Sequence, residues 1–136
     1  MNAKTIIAGI ISAVITFLLG WLVYGMLLMD FFNSNSLHYG GLMKDPPTYW
    51  AIGVANLCWG LMGAYILNLA GANTASKGAM IGFLVFGLST AGFDAMTYAQ
   101  TNWVGAKALA VDVAVSAVFG AVSGAVIGFI YGRKSS

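Results

Sequence analysis

The chain has 136 residues, 60% of them hydrophobic and only 7% charged, with 18 glycines and a formal charge of +2. Soluble domains carry roughly 25% charged residues, so this composition excludes a water-covered globule and makes lipid the natural solvent. One cysteine and one histidine exclude a disulfide framework and a Cys/His metal cage, and six dispersed basic residues make no nucleic-acid footprint.

The first apolar run, TIIAGIISAVITFLLGWLVYGMLLM, covers about residues 5–29. A helix needs about 20 apolar residues to cross a bilayer, and this run supplies them. It is longer than the apolar segment of a signal peptide, about 7–15 residues, and no small-residue cleavage site interrupts it. We therefore expect a retained first helix.

The loop that follows, about 30–48, ends in Pro46-Pro47, which stop a helix and hand the chain to the next span at Tyr49. Phe31, Phe32, His38 and Tyr39 are candidates for a lid over a pocket. The favoured reading of the aromatics on this side, Tyr39, Tyr49, Trp50, Tyr98 and Trp103, is an interfacial belt.

The second run covers about 49–71, the third about 78–99 and the fourth about 105–131. Period-two alternation is absent and the runs are too long for strands, and a backbone in lipid must satisfy its own hydrogen bonds, which leaves helices. The short ANTASK turn between the second and third runs predicts a tight antiparallel hairpin of those two. The expected fold is all-α: one transmembrane domain over 1–136, an integral membrane four-helix bundle with both termini on one side. That side holds Lys4, Lys77, Arg133 and Lys134, against Lys44 and Lys107 opposite. The excess of positive charge predicts cytoplasmic termini and an outward-facing 30–48 loop.

Each run carries one polar or small stripe at helical spacing. These are Ser12, Thr16, Gly20 and Tyr24; Gly53, Asn56, Gly60 and Gly63; Gly87, Thr90, Asp94 and Tyr98; and Asp112, Ser116, Gly120, Gly124, Gly128 and Gly132. Such residues are disfavoured toward lipid and useful against another backbone, so the four stripes are expected to face one another. The ladder Gly120-Gly124-Gly128-Gly132 predicts close helix packing, either within the chain or against a second copy.

At 1.5 Å per residue, Asp112 and Asn56 each lie roughly 10 Å in from the outer end, with Asp94 shallower. A carboxylate in hydrocarbon is costly, at least about 2.5 kcal/mol at the bilayer centre. Both acids therefore need partners, water or a proton, and Lys107 is one candidate partner by snorkelling. The expected site is an outward polar cavity lined by Asp94, Asp112, Asn56 and Tyr24, with Thr90 and Tyr98 on the stripe of Asp94. It would handle an ion, a proton or a small ligand. The competing expectation is a non-catalytic membrane subunit that docks through the glycine ladder. An enzyme ranks third, because Cys58 lies mid-helix without a base and His38, Asp30 and Asp45 have no recognised spacing. Four short helices rarely enclose a pathway alone, so a homo-oligomer or a larger membrane complex is expected. No cofactor is indicated.

The stretch Gly20-Trp21-x-x-Tyr24-Gly25, the glycine-rich third run and Asp112 in the fourth resemble an uncharacterised family of short bacterial four-span integral membrane proteins. The resemblance implies a bacterial inner-membrane location and transfers no activity. An offset shared by Lys4–Gly9 and Lys77–Gly82 also suggests two related helix pairs.

Overall fold

A computed structural model describes residues 1–133; Lys134, counted above in the charge balance, lies outside them. The chain is all-helical. Helix α1 spans Ala3–Leu22 and runs into a π-helical turn at Val23–Leu27; the short α2 is Met29–Ser34, α3 is Tyr49–Leu69, α4 is Ala75–Gln100 and α5 is Ala106–Gly132. Counting the π-turn with α1, four helices are long and apolar enough to cross a membrane. Their limits differ from the sequence expectation by a few residues at each end.

Local chemistry explains several boundaries. Asn2 caps α1, its side-chain oxygen accepting from the Thr5 N–H at 2.9 Å, and Thr74 caps α4 through the Lys77 N–H at 3.2 Å; both satisfy donors that a helix start leaves free. Gly71, at φ 62°, reverses the chain after α3, where a side chain would be strained. The 30–48 loop is more ordered than expected, since its first residues form α2. A bridge between Ser36 and Val104 then ties this segment to the α4–α5 connection. Its bonds run from Leu37 N–H to Trp103 O at 2.8 Å and from Gly105 N–H to Asn35 O at 2.9 Å.

The packing corrects the expected hairpin. Helices α3 and α4 are joined by the short turn yet touch little, and the close pairs are α1 with α3 and α4 with α5. The glycines give the physical reason. A Cβ at Gly78 would collide with the Gly124 backbone, one at Gly82 with Gly120, one at Gly128 with Thr74 and one at Gly132 with Asn73. Backbone thus lies on backbone along the ladder, an approach that only glycine permits. Between α1 and α3 the equivalent contact is a single crossing, Gly9 on Gly60 with Ala13 beside it.

Helix α5 also packs on α1 and α3. The core lies there, around Ala8, Ala64, Leu67, Ala72 and Ile127. Ser12 of α1 and Ser123 of α5 share a buried hydrogen bond across this core, and the Tyr131 hydroxyl donates to Ala64 O at 2.8 Å. Helix α4 lies on the outer side of α5, with Phe83, Leu84, Leu88 and Phe93 exposed. Both ends of the chain meet at one end of the bundle, where the Lys4 ammonium donates to Tyr131 O at 3.2 Å and to Arg133 O at 2.7 Å.

Candidate functional site

Three helices bring polar groups together near the loop end of the bundle. Asp112 lies six residues into α5, and Asp94 six residues before the end of α4. Both are therefore about 9 Å from their helix ends, so Asp94 is no shallower than Asp112. Their carboxyl groups are neighbours, close enough for the charge of one to act on the other. Tyr24 supplies the third group, its hydroxyl donating to Asp112 Oδ1, with the Ser116 hydroxyl also in reach of the phenol.

The backbone of α1 places Tyr24 there through an irregularity. Leu28 N–H bonds to Val23 O at 2.7 Å, closing the wider turn of a π-helix over Val23–Leu27. The extra residue rotates the end of the span relative to a regular α-helix, and such turns recur at functional sites. The Tyr24 ring is then held by aromatic neighbours, with Phe32 of α2 at 5.3 Å between centroids and Phe119 of α5 edge-on at 5.9 Å. Phe31 packs edge-on against Phe32 at 5.5 Å. The bridge between Ser36 and Val104 anchors the segment after α2, so Phe31 and Phe32 cover the polar cluster from the loop side. Of the four expected lid residues, His38 and Tyr39 are not part of this cover. Both are exposed, and the His38 ring bonds to Asn33 O at 2.6 Å within its own loop.

Asp94 stands out by its environment. The residue is only 6% exposed, and its Oδ2 is buried without a hydrogen-bond partner among the described residues. A buried polar atom left unpaired costs about 1–3 kcal/mol, more when charged. Lys107 does not relieve it. The ammonium lies 5.8 Å over the Phe31 ring, a cation–π contact on the rim.

Not every residue expected at the site joins it. Asn56 is buried, but its amide donates to Ile52 O at 2.9 Å, one turn back on its own helix, which is how a mid-helix polar side chain satisfies itself locally. Thr90 lies one turn below Asp94, half-buried. Tyr98 is 61% exposed, because α4 ends at Gln100 and little packs over its last turn. Ser116 and the ring of Phe119 lie at the site although the sequence alone did not assign them to it, whereas Phe32 was an expected lid residue. Ser116 was signalled by its place on the Asp112 stripe.

One surface cleft of about 410 Å³ is bounded by Leu37, Tyr39, Leu42, Thr101, Asn102 and Trp103. Another, of about 300 Å³, lies at the opposite end of the bundle. Neither includes Asp94 or Asp112. Tyr24, Asp94 and Asp112 form one polar cluster beside the rings of Phe32 and Phe119. Among the described residues, no group of three or more His, Cys, Asp or Glu side chains is arranged to hold a metal ion. No protein family, curated protein or solved structure matches this chain.

Proposed function

We propose that the chain is a multi-pass protein of the bacterial cytoplasmic membrane, with both termini inside, that takes up and releases a proton at the Asp94–Asp112 pair from the outer side. The observation that carries this reading is the buried, unpartnered Oδ2 of Asp94 beside a second carboxyl group. One proton shared by the pair gives that oxygen a partner and removes the repulsion between two adjacent carboxylates. A proton needs no cavity, which suits a pair that lines neither surface cleft.

The chain's own groups divide the work. Tyr24 donates to Asp112 and fixes which of its oxygens remains free. Phe31 and Phe32 limit water on the loop side, and movement of α2 would admit it. Toward the other end, the α4–α5 seam is backbone against backbone. Exchange is therefore one-sided, and the protein is not a through-pore.

Orientation rests on Lys4, Lys77, Arg133 and Lys134 at one end against Lys44 and Lys107 at the other. The bacterial location rests on the family resemblance. Docking of a partner through the glycine ladder is the weaker reading, because α4 occupies that face. A homo-oligomer or larger complex would form through another surface.

The test is proton uptake after a pH jump, read with a dye on purified protein in lipid vesicles. Wild type should take up one proton more than Asp112→Asn or Asp94→Asn. Equal uptake by all three would sink the reading.

A further inference from the structure

The end of the bundle away from the acids has a charge problem of its own. All four acidic residues, Asp30, Asp45, Asp94 and Asp112, belong to the loop end. Among the described residues, the terminal end carries Lys4, Lys77 and Arg133 with no acidic side chain to balance them. Their hydrogen-bond partners are neutral: Lys4 donates to the carbonyls of Tyr131 and Arg133, and Lys77 to Gly71 O at 3.0 Å. Arg133 stacks over Phe129, 5.8 Å from the ring centre. An ammonium has three donors, so Lys4 keeps one free and Lys77 two.

Lys4 lines a cleft of about 300 Å³ together with Asn2, Asn68, Gly71, Ala72, Asn73 and Tyr131, and Lys77 reaches its rim through the bond to Gly71 O. Asn2 uses its side-chain oxygen twice, for the Thr5 N–H and the Thr5 hydroxyl, each at 2.9 Å. Its NH₂ group remains as a donor. Helices α1 and α4 begin here, at Ala3 and Ala75, and α3 and α5 end here, at Leu69 and Gly132, so the helix dipoles offset one another and the positive field comes from the basic side chains. Among the described residues, the cleft thus combines free donors and positive charge with no competing carboxylate. Just toward the middle of the bundle, Leu69 and Phe129 are exposed apolar side chains.

We propose that this cleft binds the phosphate group of an anionic phospholipid, with Lys4, Lys77 and Asn2 donating to the phosphate oxygens and Leu69 and Phe129 flanking the acyl chains. A lipid headgroup is favoured over free phosphate because the donors sit at the helix ends, the level of the headgroups, with apolar surface directly beside them. Each basic residue near an anionic surface contributes about 1 kcal/mol, equivalent to about fivefold in affinity. This site is independent of the proton reading, which concerns the other end.

The discriminating variant is Asn2→Asp. Aspartate caps a helix as well as asparagine, so the fold is kept while a negative charge enters the cleft. Labelled phosphatidylglycerol should bind detergent-solubilised wild type at least about fivefold more tightly than Asn2→Asp or Lys77→Gln. Phosphatidylcholine should compete poorly, and inorganic phosphate should not displace the lipid at millimolar concentration. Equal binding of the two lipids, or unchanged affinity in both variants, would overturn the proposal. Displacement by inorganic phosphate would reassign the cleft to the free anion and overturn the lipid assignment.

Discussion

The two halves of helix α5 meet their neighbours by different physics. From Gly120 to Gly132 the helix has no side chains on its α4 face, and backbone rests on backbone. From Ala106 to Phe119 the same helix presents Asp112, Ser116 and Phe119, and contact is made by long groups reaching across from α1 and α4. The first arrangement leaves no freedom, since a glycine seam can neither repack nor admit water. The second joins its elements through side chains and leaves one oxygen unsatisfied. A rigid hinge at one end lets the other end hold a polar cluster at fixed spacing.

This contrast predicts a graded series of substitutions. The largest effect belongs to Gly124→Ala, whose methyl group would meet the backbone of Gly78, where no rotamer change offers relief. We expect a loss of about 3 kcal/mol or more, visible as loss of folded protein on size exclusion in detergent or as a collapsed midpoint in thermal unfolding. Tyr24→Phe should cost less, about 1–2 kcal/mol, because it removes one donor from Asp112 and leaves the ring in place. The same measurement should show the protein folded. Ser123→Ala, which breaks the buried bond to Ser12, should cost about 0.6 kcal/mol. Gly20→Ala should cost nothing and can add up to about 1 kcal/mol through helix propensity, since no atom lies within 4 Å of the new methyl group. If Gly20→Ala and Gly124→Ala behaved alike, the distinction between the seam and the open glycines would fail.

Much of this was legible in the residues, for reasons that also mark where reading stopped. The four long helices follow from apolar length alone. Tyr24, Asp94 and Asp112 could be placed in one site because each is a polar group on its stripe toward the outer end, but the bond between Tyr24 and Asp112 was not legible. The partner of the ladder was not legible, because a short turn between α3 and α4 suggests adjacency but does not say which faces meet. Gly78 and Gly82, four apart on α4, were the overlooked signal. The π-turn had none: Val23–Leu27 has the composition of its surroundings, and an extra residue in a helix is settled by tertiary packing. Asn56 misled for a local reason, since a mid-helix asparagine can bond its own backbone.

The central claim is that Asp94 and Asp112 hold one proton between them, and infrared difference spectroscopy across a pH jump tests it most directly. The account predicts a single protonated-carboxyl band in the lipid-embedded protein that Asp94→Asn and Asp112→Asn each abolish and Tyr24→Phe shifts. A band that persists in both asparagine variants, or no such band at any pH at which the protein is folded, would contradict it.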